Sequence, residues 1–161
     1  MFLQLLHLAQ AGLAAYGGQQ SYVAVTNLQK YEDTTKKLAK YSNEAERQLH
    51  KTRTTQTSGA VAMIVSLLVS LILFWKGSYG GIIQRFLASP AMCAGIFFAR
   101  KHMAQYWTGS AQGKSAGLRV PLPKMGDYNE AQKSTEELLK VLDYLMFSWF
   151  ATSLVALFKG Y

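Results

Sequence analysis

Val61-Ala-Met-Ile-Val-Ser-Leu-Leu-Val-Ser-Leu-Ile-Leu-Phe-Trp75 carries no charge, and the charge-free stretch around it extends from Thr54 to Trp75. About twenty apolar residues in helical conformation cover the hydrocarbon core of a bilayer, so this stretch reads as a membrane span. Trp75 followed by Lys76 suits the far interface, where an amphipathic ring and a cation both reach the headgroups.

Downstream, Gly77-Ser-Tyr-Gly-Gly81 reads as a short turn into a second apolar stretch from Ile82 to about Met103, interrupted by Arg85 and Pro90. Residues 58–103 are therefore expected to form a transmembrane hairpin, kinked at Pro90, whose ring removes one backbone hydrogen bond. Ala88, Ala91, Gly95 and Ala99, with Met92, give the second arm a small-residue side that permits close backbone contact with another helix. Residues 104–126 read as a basic loop with Lys114, Arg119, Lys124, Pro121 and Pro123. Asp127-Tyr-Asn-Glu130 has the form of a capping box, so residues 127–161 are expected to form a helix whose second half, Tyr144 to Phe158, is a final span.

Upstream, residues 26–57 are polar, free of Gly and Pro, and rich in Lys, Leu, Ala, Glu and Gln, which predicts one helix leading into the span. Leu28, Tyr31, Thr35, Leu38, Ser42, Ala45 and Leu49 follow heptad spacing along it, a weak seam for a partner helix or for another part of this chain. Residues 1–25 are uncharged and read as a further membrane helix, diluted by Gln4, His7, Gln10, Gly17 and Gly18; the rival is an interfacial helix. A cleaved signal peptide would carry a basic start, which this segment lacks. The prediction is an all-α polytopic integral membrane protein, a bundle of three to four transmembrane helices with a cytoplasmic polar helix between the first and second.

Charge sets the orientation. The 161 residues hold 17 Lys and Arg against 9 Asp and Glu, a net +8. Lys30, Lys36, Lys37, Lys40, Arg47, Lys51 and Arg53 crowd residues 26–57, and Arg100, Lys101, Lys114, Arg119, Lys124, Lys133 and Lys140 crowd the second polar segment. Both segments are expected on the cytoplasmic side, and an internal eukaryotic membrane such as the endoplasmic reticulum is the expected location. Beside membrane spans, this charge points to lipids with anionic headgroups as partners; without aromatic-basic interleaving it does not point to nucleic acid.

The search for chemistry returns little. Cys93 stands alone, which excludes an internal disulfide, a Cys-x-x-Cys pair and a multi-cysteine zinc site. No phosphate-binding loop, dinucleotide turn, His-Glu-x-x-His helix or nucleophile elbow occurs, so no catalytic residue, metal ligand or cofactor is assigned. The ionisable residues expected within the membrane are His7, Arg85 and Asp143. Each has a structural explanation: Arg85 snorkels to the interface, Asp143 pairs with nearby Lys140, and His7 hydrogen-bonds inside a bundle.

Span order, the charged lead-in with Glu46, Arg47 and Arg53, the tight hairpin and the third span ending in Phe98-Ala-Arg100 together resemble the membrane-associated eicosanoid and glutathione metabolism family. The resemblance implies a homotrimer binding glutathione between subunits near Glu46, Arg47, Arg53, Arg100 and Tyr106. Thr54, Gln56 and Ser58 stand around where that family has its second-helix Asn and second Glu, and the connection before the last span is much longer.

The expected function is that of a non-enzymatic small membrane subunit or scaffold, assembling with larger membrane proteins or with itself. The alternative is a membrane enzyme or a lipid- or glutathione-binding homo-oligomer, with Arg47, Arg53 and Arg100 lining a basic cytoplasm-facing cavity for a carboxylate or phosphate.

Overall fold

The computed structural model describes residues 2–39, 43–76, 86–109 and 125–159. These form four helices, α1 (Phe2–Ala39), α2 (Asn43–Lys76), α3 (Ala88–Gly109) and α4 (Met125–Lys159). Each runs antiparallel to the next. Arg53 of α2 reaches Glu32 of α1, Trp107 of α3 reaches Thr55 of α2, and Gln10 near the start of α1 reaches Thr152 near the end of α4. Helices α1 and α3 each pack against both α2 and α4 and so face one another across a diagonal of an up-down-up-down bundle. At about 1.5 Å per residue the 38 residues of α1 and 35 of α4 are over 50 Å long, well beyond the roughly 30 Å of a bilayer's hydrocarbon core.

Residues 26–57 do not form the single polar helix expected of them. Residues 2–39 are continuous, α2 begins at Asn43, and the two lie antiparallel, so the polar segment is shared between the end of one helix and the start of the next. Leu28 and Tyr31 turn into the core, which makes α1 self-buried there and removes the free-standing rod. The remaining seam positions beyond Tyr31 lie outside the described side chains. As expected, α2 runs without interruption from polar Asn43 to Lys76.

Three local expectations are corrected. Pro90 is the third residue of α3, within the first turn, where its missing N–H has no partner inside the helix to lose; it starts the helix instead of kinking it. The basic loop set at residues 104–126 begins later, because α3 continues to Gly109 with Met103 and Trp107 buried against the bundle. The last helix starts at Met125, two residues before Asp127, and Glu130 accepts a hydrogen bond from Asn27 Nδ2 at 3.2 Å, tying α4 to α1. Arg85, the turn at 77–85 and residues 110–124 lie outside the described residues.

Two helices are long and apolar enough to cross a membrane, over His50–Lys76 and Asn129–Phe158. At their end of the bundle large apolar side chains cover the outside, and polar side chains are buried among the apolar Met63, Leu73, Leu145 and Trp149. Ile64, Val65, Leu68 and Ile72 on α2 and Phe147, Phe150, Leu154 and Leu157 on α4 are exposed, whereas His7, Gln10, Ser66, Ser70 and Thr152 are buried. Such a broad apolar exterior is foreign to a monomer in water.

Close helix contact is set by two glycines. A Cβ on Gly17 of α1 would lie 2.5 Å from the sulfur of Met63, and one on Gly59 of α2 would lie 2.6 Å from the sulfur of Met103. Each methionine occupies the space a side chain would take, and small residues at helix crossings are the usual means of close approach in lipid.

Candidate functional site

The buried polar side chains bond to one another across helices. His7 Nδ1 lies 2.9 Å from Gln10 Oε1, Gln10 Nε2 donates to Thr152 Oγ1 at 3.0 Å, and the His7 ring sits 5.8 Å from that of Trp149. Trp149 Nε1 donates to Ser66 Oγ at 3.1 Å, joining α4 to α2 across the bundle. Nearer the polar end, Gln56 Nε2 donates to Thr135 Oγ1 at 2.6 Å and Trp107 Nε1 to Thr55 Oγ1 at 3.1 Å. These bonds connect all four helices.

Two ion pairs clamp neighbouring helices. Arg53 Nε and Nη2 donate to the two oxygens of Glu32 at 2.7 and 2.5 Å, with Glu32 nearly buried between α1 and α2. Arg100 donates through Nε and Nη2 to both oxygens of Asp143, joining α3 to α4. This two-point geometry is the strong form of the arginine–carboxylate bond. Asp143 therefore pairs with Arg100 instead of the expected Lys140, which bonds Glu137 at 2.7 Å. The reason is geometric: Lys140 is exposed and turns to its neighbour on the outer face of α4, whereas Asp143 faces α3.

The three arginines expected to share one cavity are not brought together. Arg53 turns to α1, Arg100 turns to α4, and Arg47 is exposed on α2. The glutathione site implied by the family resemblance lies between subunits; within this chain Tyr106 packs edge-on to Trp107 at 5.3 Å. His7 is fully buried and hydrogen-bonded to Gln10 within α1. Of the small-residue side, Ala88 packs partly against the core, while Ala91 and Gly95 are exposed, so none of the described helices covers them.

That uncovered face forms one wall of a groove of about 960 Å³ between α2 and α3. Its apolar length is lined by Val61, Val65, Met92, Ile96 and Phe98, and its end by His50, Arg53 and His102. A smaller cavity of about 390 Å³, lined by Lys51, Gln105 and Tyr106, shares His50, Thr54 and His102 with it. The two adjoin at these three residues. Of the histidines the sequence singles out only His7, whereas the structure sets His50 and His102 beside the same two cavities. A signal was present on α2: His50, Thr54, Thr57, Ser58, Val61 and Val65 recur at helical spacing, passing from imidazole through hydroxyl to hydrocarbon. Among the described residues no cluster of three or more His, Cys, Asp or Glu is arranged to hold a metal ion.

Comparison of the chain with family models, with curated proteins and with solved structures found no match.

Proposed function

We propose that this chain is an integral membrane protein that crosses the bilayer four times and serves as a non-enzymatic subunit, assembling with larger membrane proteins. The observation that carries the reading is the broad apolar exterior of one half of the bundle, around a core in which Gln10, Thr152, Trp149 and Ser66 hydrogen-bond between helices. Lipid tails solvate such an exterior without penalty, and buried polar groups then hold the helices together. The charge-free segments, to Gln29 in α1, Thr54 to Trp75 in α2, Phe86 to Ala99 in α3 and Tyr144 to Phe158 in α4, lie at the same end.

The other half carries Lys36, Lys51, Arg53, Lys101, Lys133 and Lys140 and projects from the membrane on the cytoplasmic side by the positive-inside rule. Four antiparallel spans return both termini to the opposite side. A subunit role is favoured because the charged groups between the helices are already bonded to one another: Glu32 with Arg53, and Asp143 with Arg100. They serve cohesion. The protruding half then offers a polar, basic surface to partners, and the basic rim meets anionic headgroups. The reading is tested by gentle extraction from the native membrane, measuring the particle's mass and identifying co-purifying proteins. Larger proteins in fixed ratio support it; a homo-oligomer without other proteins refutes the subunit role.

A second reading, lipid binding without catalysis, is favoured by the groove between α2 and α3. It is compatible with a subunit role.

A further inference from the structure

The geometry points to a site for one phospholipid with an anionic headgroup in the groove between α2 and α3, its acyl chain along the apolar wall and its phosphate at the end marked by His50, Arg53 and His102. This inference rests on the four-span reading.

Three features of the groove argue for this occupant. The first is a gradient of polarity along its axis. His50 and Val65 are about 22 Å apart along α2 at 1.5 Å per residue. Over that length the lining passes from Val65 and Val61 through Ser58, Thr57 and Thr54 to Arg53 and His50. A phospholipid has the same sequence of hydrocarbon, ester and charge. The hydroxyls of Thr54, Thr57 and Ser58 donate back to the carbonyls of His50, Arg53 and Thr55, so the middle of the groove is polar while the positive groups lie only at its end.

The second feature is charge. Lys51 lines the adjoining cavity, Arg53 lines the groove, and both histidines line the two together, while no carboxylate lines either among the described residues. Glu32 offsets most of the Arg53 charge from behind, through Nε and Nη2, leaving Nη1 outside that pair. Lys51 supplies a full positive charge, and the two exposed histidines offer ring nitrogens to the headgroup oxygens. Because hydrocarbon gains little by leaving lipid for an apolar groove, the headgroup must select the occupant, and cations at the bilayer surface select anionic lipids.

The third is space. Its volume of about 960 Å³ lies at the upper end of the range of ligand sites. The wall is low where Ala91 and Gly95 stand, and a Cβ added at Gly95 would meet nothing within 4 Å. A larger side chain there fills the groove without disturbing the bundle.

The full chain is reconstituted in vesicles of phosphatidylcholine with a minor fraction of phosphatidylserine, extracted in mild detergent and weighed intact. Resistance of the reconstituted chain to alkaline extraction is measured alongside. The expected result is one retained phosphatidylserine per chain. Gly95→Leu is expected to lower retention by about tenfold, the equivalent of about 1.4 kcal/mol of binding, with alkaline resistance unchanged. His50→Gln/Lys51→Gln/His102→Gln is expected to abolish the preference for phosphatidylserine over phosphatidylcholine. An alkali-resistant chain that retains no lipid, retains both lipids equally, or retains as much in Gly95→Leu overturns the site and leaves the membrane reading standing. A second copy held in place of lipid and lost in Gly95→Leu also overturns it, in favour of helix docking. Release of the chain by alkali sinks the membrane reading and this site together.

Discussion

Gly59 and Met103 are predicted to be coupled so strongly that the effect of Gly59→Ala changes sign with its neighbour. An alanine Cβ at position 59 would lie 2.6 Å from Met103 Sδ, 3.0 Å from its terminal methyl and 3.1 Å from Leu138 Cδ2. Met103 and Leu138 are both fully buried, so the displaced sulfur has no open space to enter. Overpacking of this kind costs about 1–3 kcal/mol. Replacing a helical glycine by alanine gains back up to about 1 kcal/mol of backbone propensity. In the native background Gly59→Ala should therefore destabilise by about 1 kcal/mol or slightly more. Met103→Ala alone leaves a cavity and should cost about 2–5 kcal/mol. In that background the space is vacant, so Gly59→Ala should stabilise by roughly 1 kcal/mol. The coupling energy across the cycle is then about 2 kcal/mol, within the range for residues in contact. Reversible unfolding of the four proteins in mixed micelles measures it. Equal effects of Gly59→Ala in both backgrounds would refute the claim that Met103 occupies the glycine's missing side chain.

Three further outcomes are expected. Trp149→Phe keeps most of the ring packing but deletes the donor to Ser66, costing about 0.5–1.5 kcal/mol, whereas Trp149→Ala should cost about 3–5 kcal/mol; micellar unfolding again separates them. Arg100→Gln leaves Asp143 without its two-point partner and should destabilise by about 1 kcal/mol, the low end for a charged bond because both side chains are about one-third exposed; adding Asp143→Asn should recover part of the loss, and a strictly additive pair would show that the ion pair does not couple α3 to α4. In a Cys93→Ala chain, Lys51→Cys and Phe158→Cys reporters should label from opposite sides of the membrane with an impermeant thiol reagent; labelling from one side contradicts four crossings.

The apolar half of this bundle was legible because the signal is local: Val61 to Trp75 and Tyr144 to Phe158 each announce a long apolar helix by composition alone. The reversal between α1 and α2 was not. Residues 26–57 consist of good helix formers, and α1 ends at Ala39 and α2 begins at Asn43 without a Gly or Pro nearby to mark the break. What favours the reversal is non-local, the burial of Leu28 and Tyr31 and the reach of Arg53 to Glu32. Pro90 misled for a related reason, since a proline that kinks a helix and one that begins a helix are indistinguishable until the helix start is fixed. Asp143 was matched to Lys140 by spacing along one helix, but the side of α4 it occupies is set by packing against α3.

The same distinction separates cohesion from function in this molecule. Where apolar burial gives little driving force, a bundle in lipid must be held by close packing and by hydrogen bonds between helices. Gly17 with Met63, Gly59 with Met103, and the bonds from Gln10, Gln56, Trp107 and Trp149 perform that work, as do the two arginine–carboxylate pairs. Polar residues that would otherwise suggest chemistry are thereby accounted for by the fold. His50 and His102 differ from them, being exposed at the end of an apolar groove. A binding role is thus better assigned to that groove than to the deeply buried His7, although His7 is the more conspicuous residue in the sequence.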